Sequence, residues 1–247
     1  MSLIITIHTN EGIIMASDSR TTFNKRDFNP LPDGKGAIIT NNQGVHYSDT
    51  TNKTFLTKSN IGISTCGAAA INGKPVTGYI EDFMNKKASG DKTVSDIAKL
   101  ILEEFRGFTP IPDILFHVSG YELVNDILSQ KFFRVFVAEN TVIEVDVESQ
   151  GAAWNGETEI LSRIINPYWL EVKNEDGTNS YKKHSAPPIP WNFFSLQDAI
   201  DFAKYAMNTT IETMRFQERL KTVNGPIDIL AIKPSGAFWI QKKELHA

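Results

Sequence analysis

The start of the chain has the pattern of two short β-strands joined by a tight turn. Apolar side chains recur at Ile5, Ile7, Ile13 and Ile14, and an Asn-Glu-Gly run at 10–12 separates the two segments. Apolar residues on both sides of a glycine-containing turn are typical of a β-hairpin. The pattern therefore predicts a pair of antiparallel strands, with Ser2 at the free end of the first.

Ser2 has a catalytic capability of its own if Met1 is removed. A serine hydroxyl is a poor nucleophile until a base takes its proton, and an α-amine with a pKa of about 8 can do so near neutral pH. A methionine aminopeptidase accepts a small second residue such as serine, so we expect removal of Met1 to place both groups on Ser2. A retained Met1 would block the site, and an ordinary processed terminus with no catalytic role is the alternative.

Asp18, Lys53 and Gly67 are three further candidate residues of a functional site. Asp18 lies sixteen residues after Ser2, and Gly67 lies fourteen residues after Lys53. Taken singly, the aspartate would be a hydrogen-bonding residue at a strand end, the lysine a solvated surface charge and the glycine a turn residue.

The combined pattern resembles a proteasome β subunit. That family begins its mature chain with a nucleophile, a strand, an acidic-Gly turn and a second strand that ends in an Asp-x-Arg-x-Thr motif, which here is Asp18-Ser-Arg-Thr-Thr22. Lys53-Thr-Phe-Leu and the glycine turn at Gly67 match its next two features. The resemblance implies an N-terminal nucleophile (Ntn) hydrolase in which Ser2 replaces the usual threonine.

The resemblance also implies a role for each motif residue. Ser2 would attack a carbonyl carbon, Lys53 would stabilise negative charge on its oxygen, Asp18 would hold the lysine, and the Gly67 N–H would donate to the oxyanion. Asn155 would take the place of a serine that contacts the nucleophile's amine. The residues implied to line the substrate pocket are Thr21, Thr22, Thr65, Cys66 and Ala69.

Part of the family's network has no direct counterpart in this sequence. The family carries an aspartate and a serine before a Gly-Gly turn, and counting back from Gly225 puts Leu220 and Val223 on those positions. Only a shift of register would bring Glu218 or Thr222 there. We therefore expect the second half of the site to differ from that of a standard proteasome.

Composition limits the class of protein. The chain has 247 residues, of which 41% are hydrophobic, so one domain over residues 1–247 is expected. The net charge of −4 and the absence of a basic run argue against a nucleic-acid role. The single cysteine favours a reducing, cytoplasmic location, and the apolar runs are too short to span a membrane. No cofactor is predicted, and the histidines lack metal-ligand spacing.

The remaining pattern predicts helices and strands in blocks. Capping boxes at Thr93 and Ser195 predict helices that end near Phe105 and Arg219. Strands are predicted over 115–118, 132–138, 142–147, 152–154, 227–232 and 237–240. Together with the resemblance, this order implies an α+β fold, a four-layer αββα sandwich of two antiparallel sheets flanked by helices. Insertions are expected near 23–51 and 171–194, the second as a packed surface loop.

Three functions remain open at this stage. The first is a peptidase in a homo-oligomeric ring that takes peptide or protein substrates, with an ATPase or regulatory cap as a further partner. The second is an amidase, acylase or transpeptidase on the same nucleophile, which would share the same residues. The third is a non-catalytic structural subunit, which ranks last because the nucleophile, aspartate, lysine and glycine occur together.

Overall fold

The computed structural model describes residues 2–31, 37–88 and 90–244, and these form sixteen strands and four α-helices. The strands are β1 (Leu3–Thr9), β2 (Gly12–Ser17), β3 (Thr21–Pro30), β4 (Ala37–Ser48), β5 (Thr54–Leu56), β6 (Gly62–Gly67), β7 (Ala70–Ile71), β8 (Lys74–Pro75), β9 (Ile114–Val124), β10 (Ile127–Phe136), β11 (Thr141–Glu144), β12 (Gly151–Gly156), β13 (Tyr168–Lys173), β14 (Asn179–His184), β15 (Asp228–Lys233) and β16 (Gly236–Gln241). The helices are α1 (Val76–Lys86), α2 (Val94–Arg106), α3 (Glu159–Ile165) and α4 (Leu196–Phe216), and a short 3-10 turn covers Trp191–Phe193.

The predicted N-terminal hairpin is confirmed and lies inside the first of two five-stranded sheets. The strand order of this sheet is β12-β1-β2-β15-β16, with antiparallel neighbours throughout. β1 and β2 are buried along their whole length. A strand that is covered on both faces needs apolar or hydrogen-bonded side chains at every position, which explains the run of isoleucines.

The second five-stranded sheet has the order β11-β10-β9-β6-β5 and is also antiparallel. It packs against the first sheet at Gly62 of β6, where an added Cβ would lie 2.4 Å from the Met15 sulfur and 2.9 Å from Ile232 Cδ1. Ile13, Met15, Leu230 and Ile232 form a buried cluster at this contact. The chain is therefore a mixed structure of helices and antiparallel sheets, as predicted.

Helices pack against both sheets. α1 and α2 bury one apolar side against the second sheet, through residues that include Ile80, Ile97 and Phe105. α3 and α4 pack on the first sheet, where Leu161 and Met207 join its core. Both capping boxes are confirmed, since the side chains of Thr93 and Ser195 accept from the backbone of the aspartate three residues on.

Several elements differ from the sequence prediction. α4 ends at Phe216 rather than near Arg219, because Gln217 adopts an extended backbone. The sequence pattern did not predict α1 or α3. The segment expected as a packed surface loop near 171–194 instead includes most of the β13–β14 hairpin, whose residues are all exposed. The other expected insertion is largely the β3–β4 hairpin. Among the described residues, no helix is long and apolar enough to cross a membrane.

Candidate active site

The motif residues meet because each lies at the end of a strand. Ser2 precedes β1 and Asp18 follows β2, and these strands are antiparallel neighbours with Ile4 opposite Ser17. Lys53 precedes β5, and Gly67 closes β6 beside it in the second sheet. Two packed sheets therefore present four distant sequence positions at one edge of the molecule.

Asp18 is a fully buried hub of hydrogen bonds. Its Oδ1 accepts from the Leu3 N–H at 3.0 Å and from the Lys53 ammonium at 2.8 Å. Its Oδ2 accepts from the N–H groups of Arg20 at 3.0 Å and Asn224 at 3.2 Å. A buried carboxylate needs such partners to offset its loss of hydration. One side chain thus fixes the lysine and the residue next to Ser2.

Lys53 is almost completely buried, and its ammonium points at two acceptors. Besides Asp18, it donates to the Arg20 carbonyl at 2.5 Å. Burial lowers the pKa of Lys53, and the carboxylate of Asp18 opposes that change without cancelling it. The lysine therefore releases its proton more easily than an exposed lysine does.

A cleft opens directly above this ion pair. Its lining residues are Ser2, Thr21, Thr22, Thr51, Asn52, Lys53, Thr65, Cys66, Gly67, Ala68, Ala69, Val76 and Thr77. All five residues expected to line a substrate pocket are among them, together with Ser2, Lys53 and Gly67. Inside the cleft, Thr21 donates through its hydroxyl to Thr51 at 2.8 Å, and Thr65 donates to the Leu115 carbonyl.

Gly67 occupies a position that tolerates no side chain. Its φ is +111°, and an added Cβ would lie 2.5 Å from the Asp113 carbonyl oxygen. The N–H of Thr65 bonds to the Lys53 carbonyl at 2.9 Å. Because N–H directions alternate along a strand, the N–H of Gly67 faces the same edge, beyond the last paired residue. That edge borders the cleft.

Asn155 lies beside the site, and its side-chain oxygen binds residues other than Ser2. Its Oδ1 accepts from His117 Nε2 at 2.9 Å and from Arg134 Nε at 3.1 Å. The Nδ1 atom of His117 is 2.9 Å from the Thr6 hydroxyl. Because Asn155 Oδ1 can only accept, His117 carries its proton on Nε2 and accepts from Thr6. Complete burial lowers the pKa of His117 to about 3.

Gly156, which the sequence analysis did not single out, makes the close approach to the nucleophile. Its φ is +94°, and an added Cβ would lie 1.8 Å from the Ser2 carbonyl oxygen. That same oxygen accepts from the Glu157 N–H at 2.7 Å. A glycine that follows the end of a strand pattern was the available signal, but only the pairing of β1 with β12 shows what it touches.

The segment before Gly225 joins the site through its backbone. Asn224 donates its N–H to Asp18 and accepts from the Ser19 N–H at 3.1 Å. Val223 is buried in the core of the first sheet. Of the two residues that a shift of register would bring in, Thr222 is buried and Glu218 is exposed. Among the described residues, the Thr222 hydroxyl has no hydrogen-bond partner.

An arginine clamp closes the rim of the site, and sequence reasoning missed it as well. Arg20 binds both carboxylate oxygens of Asp49, at 2.6 and 2.7 Å, and donates to the Lys221 carbonyl. The hydrogen bond to Arg20 lowers the pKa of Asp49. The clamp ties three chain segments together around the carbonyl of Arg20 that Lys53 contacts.

The cysteine that lines the cleft does not supply a second nucleophile. Burial raises the pKa of the Cys66 thiol to about 12, so the thiol stays protonated and unreactive at neutral pH. Within residues 2–31, 37–88 and 90–244, no group of three or more His, Cys, Asp or Glu side chains is placed to hold a metal ion.

Comparison with solved structures identifies the fold. No protein-family model and no curated protein sequence matches the chain. Anbu from Hyphomicrobium sp. strain MC1 superposes with a TM-score of 0.57 at 14% identity, over 98% of this chain and 86% of that one. The Gly-1 mutant of this Anbu gives a TM-score of 0.55 at 15% identity, over the same shares. The chain therefore has an Anbu-like fold, which is proteasome-like.

This comparison corrects the family resemblance drawn from the sequence. The chain was expected to be a relative of proteasome β subunits, but both of these structural neighbours are Anbu, so that assignment was wrong. The reason lies in the residues that carried the resemblance. Asp18, Lys53 and Gly67 stand at strand ends and turns, so they report the fold and do not distinguish families that share it.

Proposed function

We propose that this protein is a proteasome-like peptidase that hydrolyses peptide bonds with Ser2 after removal of Met1. The observation that carries the proposal is the convergence of Ser2, Lys53 and Gly67 on one cleft, with Lys53 held 2.8 Å from a fully buried Asp18. The likeness to Anbu supports a proteasome-like fold for it. We further propose the four-layer αββα arrangement, a single domain over residues 1–247, and a homo-oligomeric assembly.

In the proposed mechanism the Ser2 hydroxyl attacks the substrate carbonyl carbon, and the freed α-amine takes its proton. The N–H of Gly67 donates to the oxyanion that forms, a contact typically worth about 3 kcal/mol of barrier lowering. The ammonium of Lys53 stabilises negative charge on the attacking oxygen, and Asp18 fixes the lysine. The amine then returns the proton to the leaving nitrogen, and water releases the acyl group.

The cleft residues supply substrate contacts in this proposal. Thr21, Thr22, Thr65, Cys66 and Ala69 all line the cleft. An extended substrate backbone bound there would pair with main-chain groups of the cleft, as peptides do when they add to a strand edge. Asn155 supports the site indirectly, because it anchors the chain just before Gly156.

Intact-mass spectrometry before and after treatment with a β-lactone acylating agent tests the proposal. We expect the purified protein to lack Met1 and to gain one adduct on Ser2. The variants Ser2→Ala and Lys53→Ala should lose the adduct while staying folded. Lys58→Ala is the matched control, because Lys58 is exposed in a turn beside the same strand.

Two outcomes would contradict the proposal. The proposed mechanism is wrong if processed wild-type protein gains no adduct. It is also wrong if the Lys53→Ala variant is labelled as fast as Lys58→Ala. If labelling succeeds, hydrolysis of a peptide library separates a peptidase from an amidase, acylase or transpeptidase. Labelling without hydrolysis of any peptide would contradict the peptidase assignment alone.

A further inference from the structure

The β13–β14 hairpin, here called the arm, leaves aromatic side chains uncovered. Within the described residues its two strands pair with no third strand, and every residue in them is exposed. Trp169 is 64% exposed and Tyr181 is 65% exposed. Aromatic side chains with this exposure are typical of protein–protein interaction surfaces, where Trp and Tyr supply much of the binding energy.

One face of the arm combines these two aromatics with positive charge. Side chains alternate along β13, so Trp169, Glu171 and Lys173 share one face. Lys183 stands directly opposite Trp169, and cross-strand partners lie on the same face. Glu171 stands opposite Tyr181 and accepts from its hydroxyl at 3.3 Å. Neither lysine forms a salt bridge with another described residue, so this face carries a net positive charge.

A groove of different character lies on another part of the chain surface. It has a volume of about 810 Å³ and is formed mainly by the end of β9, the start of β10 and residues 144–148. Val124 and Leu128 give it exposed apolar side chains. Asp146 and Glu148 also line it, and in the described part of the chain neither of them forms a salt bridge. The groove is therefore both apolar and acidic.

The arm and the groove complement each other in charge. Glu144 and Lys131, which also line the groove, neutralise each other in an ion pair. Asp146 and Glu148 then leave the groove with an excess of negative charge, which matches the positive face of the arm. Surfaces of opposite potential attract and orient each other during association.

The groove also has the size that the arm requires. Its volume lies in the range of about 300–1,000 Å³ that buries a drug-sized ligand, so it can accept the side chains of Trp169 and Tyr181. Among the described residues, none from the arm lines the groove of its own chain. The arm that fits a given groove is therefore that of another copy.

We propose that the arm of one copy docks into the groove of a second copy, with Trp169 as the anchor and the arm lysines facing Asp146 and Glu148. The inference rests on the homo-oligomeric assembly proposed above and names its interface. Because the two surfaces differ, the contact is heterologous. Each copy uses its arm on one neighbour and its groove on the other, which builds a ring or a helical filament.

Crosslinking of full-length variants tests which surfaces meet. Asn179→Cys on the aromatic face of the arm and Ser129→Cys in the groove are made in separate chains. The native Cys66 is buried and does not react with a short bismaleimide crosslinker. We expect a mixture of the two variants to give at least tenfold more crosslinked dimer than either variant alone. Lys99→Cys, on the exposed side of α2, replaces the groove variant as the matched control.

A charge exchange tests the complementarity itself. An arm variant carries Lys173→Glu and Lys183→Glu, and a groove variant carries Asp146→Lys and Glu148→Lys. Each variant alone should self-associate at least tenfold more weakly than wild type, because its arm and its groove then have the same charge. Mixing the two should restore association, since every arm again meets a groove of opposite charge. Sedimentation velocity over a range of concentrations measures both effects.

The aromatic anchor is tested in the same measurement. Trp169→Ser should weaken self-association by about thirtyfold, the usual effect of truncating an aromatic hot spot. Phe216→Ser, which removes an exposed aromatic at the end of α4, is the control and should leave association unchanged. Equal association of the two variants would overturn the inference, as would a wild-type protein that stays monomeric or Asn179→Cys chains that crosslink arm to arm as readily as arm to groove.

Assembly and acylation of Ser2 are measured separately, so the two proposals can fail independently. Ser2→Ala should assemble as wild type does. If the arm crosslinks to the groove and Ser2 is never acylated, the interface stands and the peptidase proposal is wrong. If Ser2 is acylated and no crosslink between arm and groove forms, the peptidase proposal stands and the interface is wrong.

Discussion

Gly156 shows how strictly a single residue constrains the candidate site. An added methyl group would lie 1.8 Å from the Ser2 carbonyl oxygen, far inside van der Waals contact, and the backbone there has a φ of +94°. Gly177 has a similar φ of +83° with no atom within 4 Å of an added Cβ. The two glycines therefore separate the cost of backbone strain from the cost of displacing Ser2.

We expect Gly156→Ala to abolish acylation of Ser2, because the collision pushes the nucleophile away from Lys53 and Gly67. Gly177→Ala should retain full acylation and lose about 1 kcal/mol of stability from strain alone. Labelling rates and urea denaturation of the two variants provide the comparison. Equal labelling of both would mean that the position of Ser2 does not depend on Gly156.

His117 makes the stability of the fold depend on pH. Its pKa is about 3 in the folded chain and about 6.5 when unfolded, so the unfolded state binds more protons between these values. The free energy of unfolding therefore falls as the pH drops from about 6.5 toward 3, by about 1.4 kcal/mol per pH unit from this residue alone. At higher pH the neutral ring keeps its hydrogen bonds to Thr6 and Asn155.

His117→Gln should remove this contribution. Urea denaturation of wild type and variant at pH 7, 6, 5 and 4 gives the difference in slope, which cancels the titration of the many carboxylates common to both. We expect the variant to lose stability less steeply below pH 6. Parallel slopes for the two proteins would show that His117 is protonated in the folded state.

At the scale of single elements, local signals explain which parts of the fold the sequence predicted. α2 and α4 were predicted because Thr93 and Ser195 each begin a capping box before an apolar stripe. The N-cap residues of α1 and α3, Pro75 and Thr158, form no side-chain capping hydrogen bond, and α1 contains Gly78. Their packing against the sheets therefore supplies the stability that their local sequence lacks.

The same distinction applies to the candidate site. Asp18, Lys53 and Gly67 were identified because their offsets match the pattern of the family that the sequence resembles. Contacts between sequence-distant segments were not predictable. No local sequence signal near Arg20 indicates that its side chain binds Asp49 and the Lys221 carbonyl. The orientation of Asn155 depends on His117 from the other sheet in the same way.

The capping box of α4 gives a prediction for this element. Ser195 accepts from the Asp198 N–H, and Asp198 accepts in return from the Ser195 N–H at 2.9 Å. Ser195→Ala should lower the free energy of unfolding by about 1 kcal/mol, because one terminal N–H of the helix loses its partner. Ser235→Ala, in the exposed turn between β15 and β16, is the control. A loss no larger than that of the control would indicate that packing alone fixes the helix start.

At the scale of the whole molecule, the closeness of the two sheets holds the halves of the site together. Ser2 and Asp18 belong to the first sheet, and Lys53 and Gly67 belong to the second. Their contact therefore depends on the distance between the sheets. Gly62 sets that distance locally, since its Cα faces the sulfur of Met15 and the side chain of Ile232.

Gly62→Ala should push the sheets apart and lower stability by about 1–3 kcal/mol, the usual cost of overpacking a core. The same variant should slow acylation of Ser2, because Lys53 moves with its own sheet.

Met15→Ala alone should lower the free energy of unfolding by about 2–5 kcal/mol through the cavity it leaves. Combining the two should cost less than the sum, because the new methyl group enters the space that the methionine vacates. A double-mutant cycle by urea denaturation measures this coupling, and strictly additive losses would show that Gly62 does not control the sheet spacing.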